Sequence, residues 1–263
     1  MSFHSQLDGL SASEADDLAH EWQQLGAKNI RRTATGGGKF RMEADFPGSP
    51  FATDDVAEVL QPAPEAVAPL PLTVSTDTAF APLADEYRAF FDACVPDPAQ
   101  EARIQGHLKR MRAGTLRYRG LGQQLGIPWQ FIAVIHSLEC GCDFKLHLHN
   151  GDPLTARTVQ VPAGRPLTGE PPFTWETSAE DALRMKGYVG QTDWRLASML
   201  FRWEQYNGMG YRLRGLASPY LWSFSNLYTG GLFVADHVFD SDAQSQQCGA
   251  AVLLKRLQSQ PLA

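Results

Sequence analysis

The residues of this chain whose types and spacing could do chemistry begin at Glu139. It ends the run Trp129-Gln-Phe-Ile-Ala-Val-Ile-His-Ser-Leu-Glu139, which is apolar on nearly every side when wound as a helix, and such a helix must be buried. Pro128 suits the start of that helix and Gly141 its C-terminal cap, so Glu139 falls in the last turn. Burial penalises the carboxylate, and the negative end of the helix dipole opposes it further. Both effects favour the protonated form, and a raised pKa is what a glycosidase needs in the acid that protonates a leaving oxygen near neutral pH. From position alone, an ion pair with one of the nearby arginines is an equally good account of Glu139.

The next stretch adds polar groups. Phe144, Leu146 and Leu148 alternate with Lys145, His147 and His149, which predicts a short strand carrying both imidazoles on one face. Asn150-Gly-Asp-Pro153 is a strong turn signal, and residues 155 to 161 are expected to return as a second strand. Asp152 is then either a second carboxylate facing a cleft or a turn residue, with Asp143 as the next candidate for the catalytic role. A glycosidase with two carboxylates uses the second to activate water or attack the sugar; with one alone, Glu139 would act as base after acting as acid.

Further on, Tyr206-Asn207-Gly208-x-Gly210-Tyr211 follows an amphipathic helix expected over 193–206. The glycine permits an irregular backbone, and the Asn207 amide can bond a sugar hydroxyl or N-acetyl group. Pro219-Tyr-Leu-Trp222 adds aromatics that either stack on sugar rings or fill a core.

These segments need a frame. Helical periodicity is expected over 83–95, 98–113 and 115–125, and again over 244–257 as a closing helix. Arg103, Lys109, Arg110, Arg112, Arg117 and Arg119 make the first of these regions locally basic, either a solvated helix face or an attraction for an anionic polymer. Seven of the seventeen prolines lie between Pro47 and Pro82, the composition of an extended linker. Ahead of it, residues 1–46 form a small module. Ser11-x-x-Glu14 is a capping-box pattern with Leu18, Trp22 and Leu25 behind it, and Gly36-Gly37-Gly38 suits a hairpin turn within 29–46. The fold class expected is α+β: a mainly α-helical domain over 83–263 with a small β-hairpin, preceded by the linker over 47–82 and the N-terminal module.

Composition narrows the partners. With a net charge of -6, 43% hydrophobic residues and 10% aromatics, the chain is an ordinary folded protein without the basic balance of a nucleic-acid binder. No apolar run is long enough for a transmembrane segment, and the first residues lack a signal-peptide pattern. Cys94, Cys140, Cys142 and Cys248 are too few and too scattered for a disulfide framework, and read as core thiols.

His136-Ser-Leu-Glu139, Phe144-x-x-His147-Leu-His149-Asn-Gly-Asp152-Pro-Leu-Thr155-x-x-Thr158 and Tyr206-Asn207-Gly208-x-Gly210-Tyr211 resemble the lysozyme-like proteins related to goose-type lysozymes and soluble lytic transglycosylases, over about residues 115 to 258. The resemblance implies cleavage of the glycan strands of peptidoglycan with Glu139 as catalytic acid. It also implies a cleft lined by the Tyr206-Asn207-Gly208 segment; His147, His149, Asn150, Thr158 and Tyr211 are taken as further substrate-binding candidates, and Asp152, on the hairpin expected to face the cleft, as the candidate second carboxylate. Two departures stand out. The Glu-Ser pair common in those enzymes is Glu139-Cys140 here, and their Gly-Leu-Met-Gln segment is replaced by the His-Leu-His-Asn-Gly-Asp stretch.

The expected activity is that of a muramidase working without cofactor or metal, with a lytic transglycosylase on the same bond as the alternative. A metal-dependent wall hydrolase using His147, His149 and Asp152, or a glycan-binding module that does not cut, are further readings; the former lacks a His-Glu-x-x-His helix. Made without a leader, such a protein would reach the periplasm or wall through a holin or a delivery machinery.

Overall fold

The computed structural model describes residues 2–10, 28–47, 72–235 and 238–260, together with Ala12, Ala15, Asp16, Ala19 and Gln23. The chain divides between residues 63 and 64 into two compact units.

The first unit is a three-stranded antiparallel sheet of β1 (Ser2–Leu10), β2 (Lys28–Gly36) and β3 (Lys39–Pro47), with β3 in the middle. Gly36 pairs with Lys39 across the expected turn, where Gly37 and Gly38 take φ of 60° and 72°, the backbone that a tight two-residue hairpin requires. Met42 and Ala44, two apart on β3, are both buried, as one face of a strand should be. The strand β1 carried no visible signal in the sequence. Ala12, Ala15, Asp16, Ala19 and Gln23 are helical, and Asp16 pairs with Arg32 of β2; Leu18, Trp22 and Leu25 lie outside the described residues.

The second unit is mainly helical, so the fold class is α+β as expected. Its helices are α1 (Phe80–Ala93), α2 (Glu101–Ala113), α3 (Thr115–Leu125), α4 (Trp129–Cys140), α5 (Trp175–Met185), α6 (Leu196–Asn207), α7 (Pro219–Trp222) and α8 (Ala250–Ser259). A two-stranded antiparallel hairpin, β4 (Leu232–Ala235) and β5 (Val238–Asp240), stands between the last two. Among the described residues no helix is long and apolar enough to cross a membrane.

The core is built around α4. Residues 131 to 138 of this helix are all buried, and each large apolar side chain so enclosed contributes about 1.5–3 kcal/mol. Phe131 stacks on Trp203 of α6 at 5.3 Å and 11° and meets Tyr188 edge-on. Around it α3 packs on α4, α1 on α6, and α8 on both α4 and α7. The four cysteines are buried free thiols.

Three expectations change. The linker over 47–82 ends too late: Val74 packs on the core, the Ser75 N–H bonds Glu86, and Phe80 opens α1 with its ring 5.3 Å from Phe201. Pro82 lies in the first turn of that helix, where proline is tolerated because its missing N–H has no partner to lose. The hairpin expected over 144–161 is a loop with a single bridge, Leu146 to Pro153, and the hairpin of this unit is instead at 232–240. Helix α5 was not foreseen, although Thr174 caps it by accepting from the Thr177 N–H at 3.2 Å.

Candidate functional site

Helix α4 ends as its sequence requires. Gly141 takes the left-handed conformation, φ 60°, and its N–H bonds the His136 carbonyl, closing the last turn in the manner of a glycine cap. Glu139 is the one exposed residue in the stretch from Phe131 to Cys140. Although the residue is exposed as a whole, protein crowds its carboxyl, and this crowding pushes its pKa up. Two groups oppose that shift: the Tyr220 hydroxyl, donating to Oε1 at 2.8 Å, and the Lys186 ammonium. Among the described residues Glu139 forms no ion pair with an arginine. Arg117 is engaged by Glu176 at 2.6 Å, and Arg103 and Arg112 bond Gln246 and Gln260.

Beside Glu139 stands a row of tyrosines. Tyr188, Tyr206 and Tyr220 stack in sequence, with centroids 6.4 and 6.5 Å apart. Burial holds all three phenols well above their ordinary range. Lys186 lies over the Tyr206 ring, its Nζ 4.2 Å from the centroid. A cavity of about 360 Å³ borders Tyr220 and is lined by Asn207, Tyr211, Phe233 and Gln247 among others. Its backbone turns at Gly208, with φ 100° and ψ 152°, a conformation essentially confined to glycine. Tyr211 is buried; its ring packs edge-on against Phe233 and Phe239, and its hydroxyl accepts the Phe233 N–H at 3.0 Å. It therefore anchors the β4–β5 hairpin to this wall. The Trp222 ring is buried against Phe90 and is core.

The loop from 142 to 174 is a different matter, because its polar residues bond inward. His147 is fully buried, with Nδ1 2.8 Å from Ser178 Oγ and Nε2 2.7 Å from the Ala156 carbonyl. His149 meets Asp181 Oδ2 at 2.8 Å, and Arg165 donates to the same oxygen. The two imidazoles do share a side, as alternation predicted, but that side is the interior face of α5. As substrate-binding residues they are corrected to loop anchors. Asp152 Oδ2 accepts from the backbone N–H groups of Val159 and Gln160 at 2.7 and 3.0 Å and from Asn150 Nδ2 at 3.1 Å. These bonds, Gln160 first and then Val159, hold its carboxyl below the usual range, and it serves as a loop staple. Asn150 also bonds the Gln160 carbonyl, and buried Thr158 bridges the Pro162 carbonyl and the Arg165 N–H. Both are likewise internal to the loop, because a long irregular segment must satisfy its backbone groups locally. Asp143 is exposed and caps Lys145 N–H.

Of the residues expected to form the site, Tyr206 stands in the tyrosine row beside Glu139, and Asn207 and Tyr211 line the cavity that borders Tyr220, whereas His147, His149, Asn150, Asp152 and Thr158 build the loop from 142 to 174. Tyr188 and Lys186 were not foreseen, and Tyr220 belongs to the Pro219–Trp222 stretch whose aromatics are expected either to stack on sugars or to fill a core. Lys186 follows a helix invisible to the periodicity. The polar atoms of His147, His149 and Asp152 face separate protein partners, and among the described residues no group of three or more His, Cys, Asp or Glu is placed to hold a metal ion.

Behind the cleft is a buried charged cluster. Glu204 of α6, 1% exposed, accepts from Arg212 at 2.8 and 3.1 Å and from the Tyr87 hydroxyl, and Arg212 also reaches Glu86 at 2.7 Å and the Ser75 carbonyl at 3.0 Å. It ties the end of α6, which carries Tyr206 and Asn207, to α1.

No family model, no curated protein and no solved structure matches this chain.

Proposed function

We propose that the second unit cleaves the glycan strands of peptidoglycan, with Glu139 as general acid. The observation that carries the reading is the setting of Glu139: a carboxyl on an exposed residue at a helix end, raised by crowding, held by the Tyr220 hydroxyl, and standing at one end of a row of stacked tyrosines of which Tyr206 is partly exposed. In this reading the neutral carboxyl protonates the glycosidic oxygen, the C1–O bond breaks, and positive charge spreads over C1 and the ring oxygen. Glu139, now a carboxylate, then takes a proton from the incoming nucleophile.

Asp152 is occupied by three donors within its loop, which favours a route using one carboxylate. Water as nucleophile gives a hydrolase and a reducing end; the 6-hydroxyl of the same sugar gives a transglycosylase and an anhydro end. Glu139→Gln keeps an acceptor for Tyr220 but has no proton to give. It should lower kcat by about 10²- to 10⁴-fold, the usual contribution of a positioned acid. Mass spectrometry of the fragments released by parent and variant reads bond, product end and catalytic residue together. Equal release by the two proteins would falsify the assignment.

A further inference from the structure

Two cavities of unlike chemistry lie at the two ends of the tyrosine row. Among the described residues, the cavity on the Tyr220 side is lined by no charged side chain. Beyond the tyrosine row lies a second cavity of about 390 Å³, bordered by Lys186, Tyr188, Gln191, Asp193, Arg202 and Gln205. Its one carboxylate, Asp193, is already matched: Arg195 grips Oδ1 and Oδ2 at 2.9 and 3.0 Å, and Ser198 donates to Oδ2 at 2.7 Å. Arg202 gives its protons to neutral oxygens, the Asp193 carbonyl at 2.6 Å and Gln191 Oε1 at 3.1 Å. Lys186 is exposed, rests on the Tyr206 ring, and makes no ion pair among the described residues. In a chain of net charge -6 this is a local excess of positive charge, placed near Glu139, where a ligand reaching that acid would meet it.

We propose that Lys186 is a specificity-determining residue that binds a carboxylate borne by the glycan, so that the enzyme selects acid-bearing sugars over neutral ones. The ring beneath holds the ammonium near Glu139, on which it acts, and Gln191 and Gln205 border the same cavity as neutral groups. This inference rests on the glycan-cleaving reading of the same site.

Peptidoglycan strands stripped of their stem peptides end each lactyl group in a free carboxylate, and coupling to methylamine removes that charge without shortening the strand. The parent protein should prefer the acid strand in kcat/KM by about tenfold, the lower end for a charge-assisted hydrogen bond at an exposed ammonium. Lys186→Met should bring this preference close to one, and Lys186→Arg should keep most of it. Because Lys186 also acts on Glu139, the ratio between two substrates on one protein is the measure, since it cancels any common effect on the acid. The same preference in parent and Lys186→Met overturns the inference. If the parent cuts neither strand, it is the glycan-cleaving reading that fails. Calorimetric titration of Glu139→Gln protein with soluble acid and methylamide oligosaccharides then decides for Lys186: acid-selective binding that Lys186→Met abolishes sustains it, and indifference to the charge overturns it.

Discussion

Replacing Arg212 by Met tests whether the buried charged cluster holds the cleft wall in place. The guanidinium is 3% exposed and supplies two of the three hydrogen bonds to Glu204, itself 1% exposed, so its loss leaves an interior carboxylate with only the Tyr87 hydroxyl. Removing one partner of a buried ion pair costs about 3–5 kcal/mol. Met covers the apolar stem of the arginine, and Tyr87 keeps one bond, which places the expectation near the lower limit of about 3 kcal/mol. For a unit of this size each kcal/mol lowers Tm by about 2–4 °C, so the loss should be about 6–12 °C. Urea melts of the full chain, followed by the fluorescence of the interior tryptophans, would measure it. The double variant Arg212→Met with Glu204→Leu removes both charges and should recover most of the loss, since an apolar pair of similar volume is often as stable as the ions it replaces. A loss below about 1 kcal/mol in the single variant, or a double variant no better than the single, refutes the reasoning.

Other consequences can be checked directly. Tyr220→Phe removes a hydrogen bond that favours ionised Glu139, so the carboxyl should stay protonated to higher pH and the alkaline limb of the kcat/KM profile should move up; an unmoved limb removes Tyr220 from the site. His136, fully buried between the Tyr118 hydroxyl and the Asp143 carbonyl, has its pKa pulled down to about 4 by burial. The unfolded chain binds that proton near pH 6.5, so stability should fall as pH drops from about 6.5 to 4, by up to about 3 kcal/mol from this site. Acid titration of unfolding should show a shallower slope in His136→Gln. His147→Ala should lower stability by about 2–4 kcal/mol, because it opens a cavity, strands the Ala156 carbonyl and leaves Ser178 Oγ only its 3.5 Å contact with His149. In the same series, chelator treatment of the parent should leave activity unchanged, whereas loss restored by zinc would return these histidines to the chemistry. A chain beginning at Leu83 should melt below one beginning at Leu72, since it lacks the Ser75 and Phe80 contacts.

What could be read in advance follows from the range over which each signal acts. The helix α4, its glycine cap and the placing of Glu139 depend on neighbours within a few residues, and the alternation of apolar and polar residues there states them plainly. The Gly36-Gly37-Gly38 turn is equally local. The loop after α4 misled because alternation fixes only that His147 and His149 share a side. Whether that side meets water or another helix depends on α5, about thirty residues later. Asp152 was read as both turn residue and candidate acid, and only its bonds to Val159 and Gln160 separate the two. Tyr220 and Lys186 are legible as site residues only once Glu139 is beside them in space. The same holds for Glu204, which in sequence is one charge on an amphipathic helix and in the fold is an interior ion.

Gly208 carries a consequence of another kind. An added Cβ would meet nothing within 4 Å there, so a larger side chain has room. What excludes it is the sign of the backbone angle, which suits residues of the opposite chirality. Alanine in its natural form should therefore deform the turn beside Asn207, while its mirror-image form, introduced by chemical ligation, should fit and stiffen it. At this point the cleft is selective for handedness where volume imposes no limit.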